Sequence, residues 1–88
     1  MARYTVVWQN EVRDTLASIW VNSGDRNAVS TAADLIDREL ARDPEQKGRP
    51  VGDRLRVLRE PPLEVLFEAS GSDRLVKVVA VRRTDSDD

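Results

Sequence analysis

The side chains best able to do chemistry are six cations in the second half of the chain: Lys47 and Arg49, Arg54 and Arg56, and the adjacent Arg82 and Arg83. A spacing of two places Arg54 and Arg56 on one face of an extended segment. Guanidinium and ammonium groups can hold an anion such as a phosphate and stabilise charge that develops on it. The 88 residues include neither His nor Cys, which removes the imidazole base, the His-ligated metal, the Cys-based zinc site and the disulfide framework. Those absences remove most familiar active sites, and no cofactor is expected. A purely structural account competes with the anion-holding one. Glu64 and Glu68 share one face of the following run, so Arg54 and Arg56 could simply pair with them across a hairpin.

Overall charge does not decide between the two. The chain carries 14 basic and 16 acidic residues, net −2, but three of the acids are Asp85, Asp87 and Asp88, so residues 1–84 hold 14 basic against 13 acidic groups. The chain is long enough for one domain, residues 1–84, and the acidic tail 85–88 is expected to be disordered. Its start, MARYTVVW, leads from Met directly into a strand pattern without signal-peptide architecture, and no apolar run approaches the ~20 residues of a membrane span. A cytoplasmic protein without membrane contact is expected.

The elements that must position these cations follow from periodicity. Arg54 to Arg83 divides at Glu60-Pro61-Pro62 and at Gly71-Ser72-Asp73 into three runs of strand length, a meander. Period two places Leu63, Val65, Phe67 and Ala69 on one face of the middle run. The same reading puts Leu55 and Val57 on that buried face and Arg54, Arg56, Glu64 and Glu68 on the open one. The last run, Leu75 to Val81, is apolar on both sides except for Lys77, as in a central strand.

Upstream, Tyr4 to Trp8 reads as a first strand that must find an edge of the same sheet. Asn10 has the character of an N-cap, and Val12, Leu16, Ile19 and Trp20 recur at helical spacing over 11–21. Asn22-Ser23-Gly24 breaks that helix. Asp25 caps a second helix over 26–42 whose stripe is Val29, Ala32, Ala33, Ile36 and Leu40, and Pro44 stops it. Trp8 and Trp20 lie inside apolar periodic runs and are expected in the core, although either could offer a stacking face. Asp43 to Asp53 is one long irregular connection, either a solvated linker or a functional loop. The fold class is α+β, β-α-α-β-β-β, with a two-helix hairpin on one face of a mainly antiparallel four-stranded sheet.

The opening strand ending in Trp (YTVVW), the amphipathic helix with Leu16 and Ile19, the second helix ending in LARDP, the Arg-bearing hairpin and the final VVAVRR come in a telling order. Over residues 4–83 the chain resembles the RelE/ParE superfamily of toxins from bacterial type II toxin–antitoxin systems, also called plasmid stabilisation proteins. The resemblance implies a toxin neutralised by a cognate antitoxin. It leaves three activities open: a ribosome-dependent mRNA endonuclease, a poison of DNA gyrase, or an inactive member that only binds its antitoxin.

In the family's nucleases basic side chains position the phosphate, help activate the 2′-hydroxyl and protonate the leaving oxygen. Carried over residue by residue, the resemblance makes Arg54, Arg56 and Arg83 the candidate catalytic cations, with Lys47, Arg49 and Arg82 as candidate RNA-binding residues. The family's hairpin strand carries Tyr-Arg-x-x-Tyr, and the run here is Leu63-Glu64-Val65-Leu66-Phe67. The aromatic residue that often follows the last strand is replaced by Thr84-Asp85. Glu64 thus puts a negative charge where an anion should bind, a repulsion of about 4 kcal/mol at ~4 Å near a protein surface. The sequence therefore argues against cleavage of the RelE type.

Overall fold

The computed structural model describes residues 3–84. Strand β1 (Thr5–Trp8) leads into helices α1 (Asn10–Val21) and α2 (Arg26–Arg42). A single 3-10 turn (Pro44–Gln46) and strands β2 (Arg49–Pro50), β3 (Leu55–Glu60), β4 (Leu63–Ser70) and β5 (Leu75–Arg83) complete the chain. The sheet order is β1-β5-β4-β3-β2. Only β1 runs parallel to its neighbour, and β5 is an interior strand with β1 on one edge and β4 on the other, in keeping with its apolar character. The architecture is α+β with five strands, not four. The extra strand is two residues long, carved from the connection expected to be irregular.

Both helices lie on one face of the sheet. The core between the layers joins Val12 of α1 and Val29, Ala32, Ile36 and Leu40 of α2 to Leu58, Leu63, Val65, Phe67, Val76, Val78 and Val81 of the sheet. Phe67 and Ile36 are fully buried. Helix α2 follows its stripe and ends at Arg42, before Pro44. Helix α1 starts one residue early, because Gln9 occupies the N-cap and Asn10 is already helical. Asp25 occupies the N-cap of α2, but its side chain makes no capping hydrogen bond.

The two faces of β3 are the reverse of the sequence expectation. Glu60 stands opposite Leu63, Leu58 opposite Val65 and Arg56 opposite Phe67. The corner between β3 and β4 holds only Pro61 and Pro62, so even-numbered residues of β3 share a face with odd-numbered residues of β4. Leu58 is therefore the buried residue of β3 and Arg56 is on the helix-covered face. Leu55 and Val57 belong instead to the open face with Glu64, Leu66 and Glu68. The tryptophans also differ from expectation. Trp8 is half-buried at the edge of the core, and Trp20 is 42% exposed. Both line a groove of about 650 Å³ between the helices, with Leu16 and Ala33 on its floor.

Candidate functional site

An irregularity in β5 decides which cations face outward. Leu66 pairs with Ala80 and Phe67 with Val78, leaving Val79 without a partner on β4. A bulge of this kind shifts the alternation of side chains by one. Val76, Val78 and Val81 thus all reach the core, whereas Arg82 opposite Glu64 and Lys77 opposite Glu68 project from the open face.

That open face is an apolar strip bordered by paired charges. Leu55, Val57 and Leu66 are half-buried and Ala80 is exposed. Val57, Leu66 and Ala80 line a shallow depression of about 280 Å³ that also touches Glu64 and Arg82. The Arg82 Nε donates to Glu64 Oε1 at 2.6 Å, and its Nη2 lies 2.6 Å from the same oxygen. The Glu64 side chain is only 13% exposed although Arg82 is 74% exposed, so the carboxylate sits low on the sheet beneath its partner. Arg59 faces Glu64 from the other neighbouring strand. Glu64 is therefore flanked by two cations of the same sheet and Glu68 by one.

The sequence-derived site residues do not converge. Arg56 is half-buried on the covered face. Its Nε donates to the Lys47 carbonyl at 2.8 Å and its Nη2 to the Gly48 carbonyl at 3.3 Å. It clamps the connecting loop and makes no hairpin pair with Glu64 or Glu68. Gly48 makes this clamp possible: its φ is +67°, and a Cβ there would lie 2.0 Å from the Val57 carbonyl oxygen. Arg54 precedes β3 in a polar hollow of about 410 Å³ with Glu45, Asp53 and Glu68. Arg49 is exposed on β2, the short edge strand, and Lys47 lies in the loop just before it.

Arg83 is at the other end of the sheet, opposite Leu63. There its Nη1 donates to Ser23 Oγ at 2.7 Å and to Asp25 Oδ1 at 3.0 Å, and its Nη2 donates to Asp25 Oδ2 at 3.2 Å. Arg56 and Arg83 are thus four positions of β4 apart, roughly 13 Å along the strand. Their guanidinium groups are engaged at opposite ends of the sheet, Arg56 on the connecting loop and Arg83 on the turn between the helices. Two of the candidates are on the open face: Arg82, which Glu64 holds, and Arg49, which stands opposite Val57 on the edge strand. Arg59, on the same face, was not among the sequence candidates. Period two continued through the two-residue corner would have revealed it.

Among the described residues no group of acidic side chains is arranged to hold a metal ion. One carboxyl stands out electrostatically. Glu60, at the end of β3, is raised above the ordinary 4.5 by burial first, then by the charge of Glu39 and a hydrogen bond with it, with Lys47 opposing. It lies on the covered face between α2 and the sheet and belongs to none of the cation clusters.

No family model matches this chain. Nor does any curated protein match it in sequence. Its likeness is to solved structures. The toxin–antitoxin complex RelBE2 of Mycobacterium tuberculosis matches with a TM-score of 0.76 at 19% identity, over 94% of this chain and 93% of that one. The archaeal RelE–RelB complex of Pyrococcus horikoshii gives 0.60 at 17% identity, covering 97% and 99%. The chromosomal ParDE toxin–antitoxin system of P. aeruginosa gives 0.64 at 16% identity, covering 94% and 98%. The chain has the fold of the RelE/ParE toxins along almost its entire length, as the order of its sequence elements implied.

Proposed function

We propose that this protein is the toxin of a type II toxin–antitoxin pair, that its cognate antitoxin covers the open face of the sheet, and that it does not cleave mRNA in the manner of RelE. The observation that carries the reading is the composition of that face. A nuclease working without metal or imidazole needs several cations around one phosphate and no anion among them. The open face instead places Leu55, Val57, Leu66 and Ala80 in its centre, with Glu64 already neutralised by Arg82. Such a surface suits the apolar side of an amphipathic helix or an added strand, with the border charges setting its register. Of the five described cations on β3 and β5, Arg59, Lys77 and Arg82 are exposed on the open side, Arg82 bonded to Glu64, while Arg56 and Arg83 are turned to the other side. Growth inhibition would then arise by binding a cellular target, of which DNA gyrase is the one that the family offers.

No described helix is long and apolar enough to cross a membrane, and the action we propose is cytoplasmic. Induction of the chain alone in a bacterial host should stop growth, and co-expression with the small reading frame beside its gene should restore it. A Leu66→Asp variant that still inhibits growth should escape neutralisation. Full neutralisation of that variant would remove the open face from the account, and growth unaffected by the unmodified chain would remove the toxin.

A further inference from the structure

Arg83 contacts Asp25 and Ser23, the Ser23 backbone N–H donates to the Trp20 carbonyl, and Arg26, next to Asp25 in the chain, also contacts Trp20. The carboxylate of Asp25 sits where an N-cap side chain would ordinarily accept a hydrogen bond from the start of its helix, yet it is turned to Arg83 and makes no such bond. Ser23, nearly fully buried, accepts from Arg83 and donates through its Oγ to the Ile19 carbonyl at 2.5 Å. The end of β5 therefore grips the turn between the helices at two points. The next residue carries the connection onward. Arg26 Nε donates to the Trp20 carbonyl at 3.1 Å and its Nη2 to the Val21 carbonyl at 2.9 Å, closing the C-terminus of α1. Its guanidinium also lies 5.1 Å from the centre of the Trp20 ring. The ring is fixed from α2 as well, since its Nε1 donates to Ser30 Oγ at 3.0 Å. Trp20 forms part of the wall of the groove between the helices.

We propose that the Arg83–Asp25–Ser23 contact is a conformational latch through which the C-terminal end of β5 sets the position of Trp20 in the inter-helix groove. Two features make it releasable. Asp25 is 47% exposed, so a competing anion can reach the ion pair. Asp25 also has a second use for its carboxylate, because once Arg83 leaves it can turn to cap α2. The latched and released states differ by an exchange of hydrogen bonds, not by a simple loss. An anionic group that draws Arg83 away therefore alters the turn, Arg26 and the face that Trp20 offers. By reciprocity, occupation of the groove alters the availability of Arg83.

The test follows the two indole N–H resonances in 15N-labelled protein. Trp8 is the internal control, since its Nε1 donates to Asp37, away from the turn. Arg83→Gln and Asp25→Asn should each shift the Trp20 indole signal and speed its hydrogen exchange several-fold while the Trp8 signal stays in place. The double variant should resemble either single one, because all three break the same link. If a variant does not fold, salt titration of the unmodified protein gives the same information. Screening the half-exposed pair should move the Trp20 signal and not that of Trp8. A Trp20 signal that is unmoved by both variants and by salt, or effects that simply add, would reduce the contact to a static ion pair and overturn the proposal.

Discussion

Phe67 is the side chain on which the core depends most. It is fully enclosed on β4, facing the helices, and its truncation removes burial while leaving a cavity that the two layers cannot close. Phe67→Ala should cost about 3–5 kcal/mol, a large share of the stability of a domain this small, measurable as a drop in the urea midpoint. Gly48 should be nearly as sensitive for a different reason. A Cβ at this positive-φ position meets the backbone of β3, so Gly48→Ala should destabilise by more than about 1 kcal/mol and free the loop that Arg56 holds. Glu60 gives a pH signature. Its carboxyl is raised in the folded state, by burial and then by Glu39, so its contribution is fully present below the ordinary carboxylate range and is lost as pH rises through the raised value. Glu60→Gln should therefore be more stable than the unmodified protein at neutral pH, with the advantage shrinking on acidification. Denaturation curves of both proteins across that range would show a constant difference if the carboxyl did not titrate abnormally.

At the scale of elements, the sequence was most legible where a period was long and its punctuation strong. The stripe of α2 and the stop before Pro44 placed that helix within its observed bounds, and the alternation of Leu63, Val65 and Phe67 identified the buried face of β4. The short β3 was misread because Leu55, Val57 and Leu58 offer apolar residues to both faces. Only the number of residues in the Pro61-Pro62 corner fixes which set is buried. The bulge at Val79 was equally invisible, since Val78, Val79 and Val81 permit either phase, yet it alone sends Arg82 outward and Arg83 inward. Trp20 followed the helical period of α1 but fell on the border of its buried arc, where the indole pairs with Ser30 at the surface. These are failures of phase, not of element type. They matter because chemistry depends on phase: with Arg56 on the covered face and Arg54 before the strand, the pair expected on one face is separated. Glu64→Arg tests this phase directly. The variant should lose the bond to Arg82 and gain no ribonuclease activity, because Arg56 and Arg83 are engaged on the covered side and Arg49 lies two strands away at the sheet edge. Cleavage created by this one substitution would mean that they can converge after all.

Across the whole molecule, a fold shared with solved toxins carries an open sheet face that is apolar at its centre and internally neutralised at Glu64. The likeness to the M. tuberculosis toxin–antitoxin structure extends over 94% of the chain at 19% identity, so the shared fold rests on pattern far more than on residue identity. Binding and catalysis make different demands on such a scaffold: a binding face needs area, shape and paired border charges, whereas phosphate cleavage needs unpaired cations on one point. The arrangement of Leu55, Val57, Leu66, Glu64 and Arg82 meets the first demand. The measurement that separates the two most directly is a translation extract with programmed ribosomes, supplied with the purified chain and read by primer extension along the message. The account predicts no codon-specific cuts at any concentration that stops growth in the host. Cuts that appear with the unmodified chain and vanish in the Arg54→Ala, Arg56→Ala double variant would contradict it.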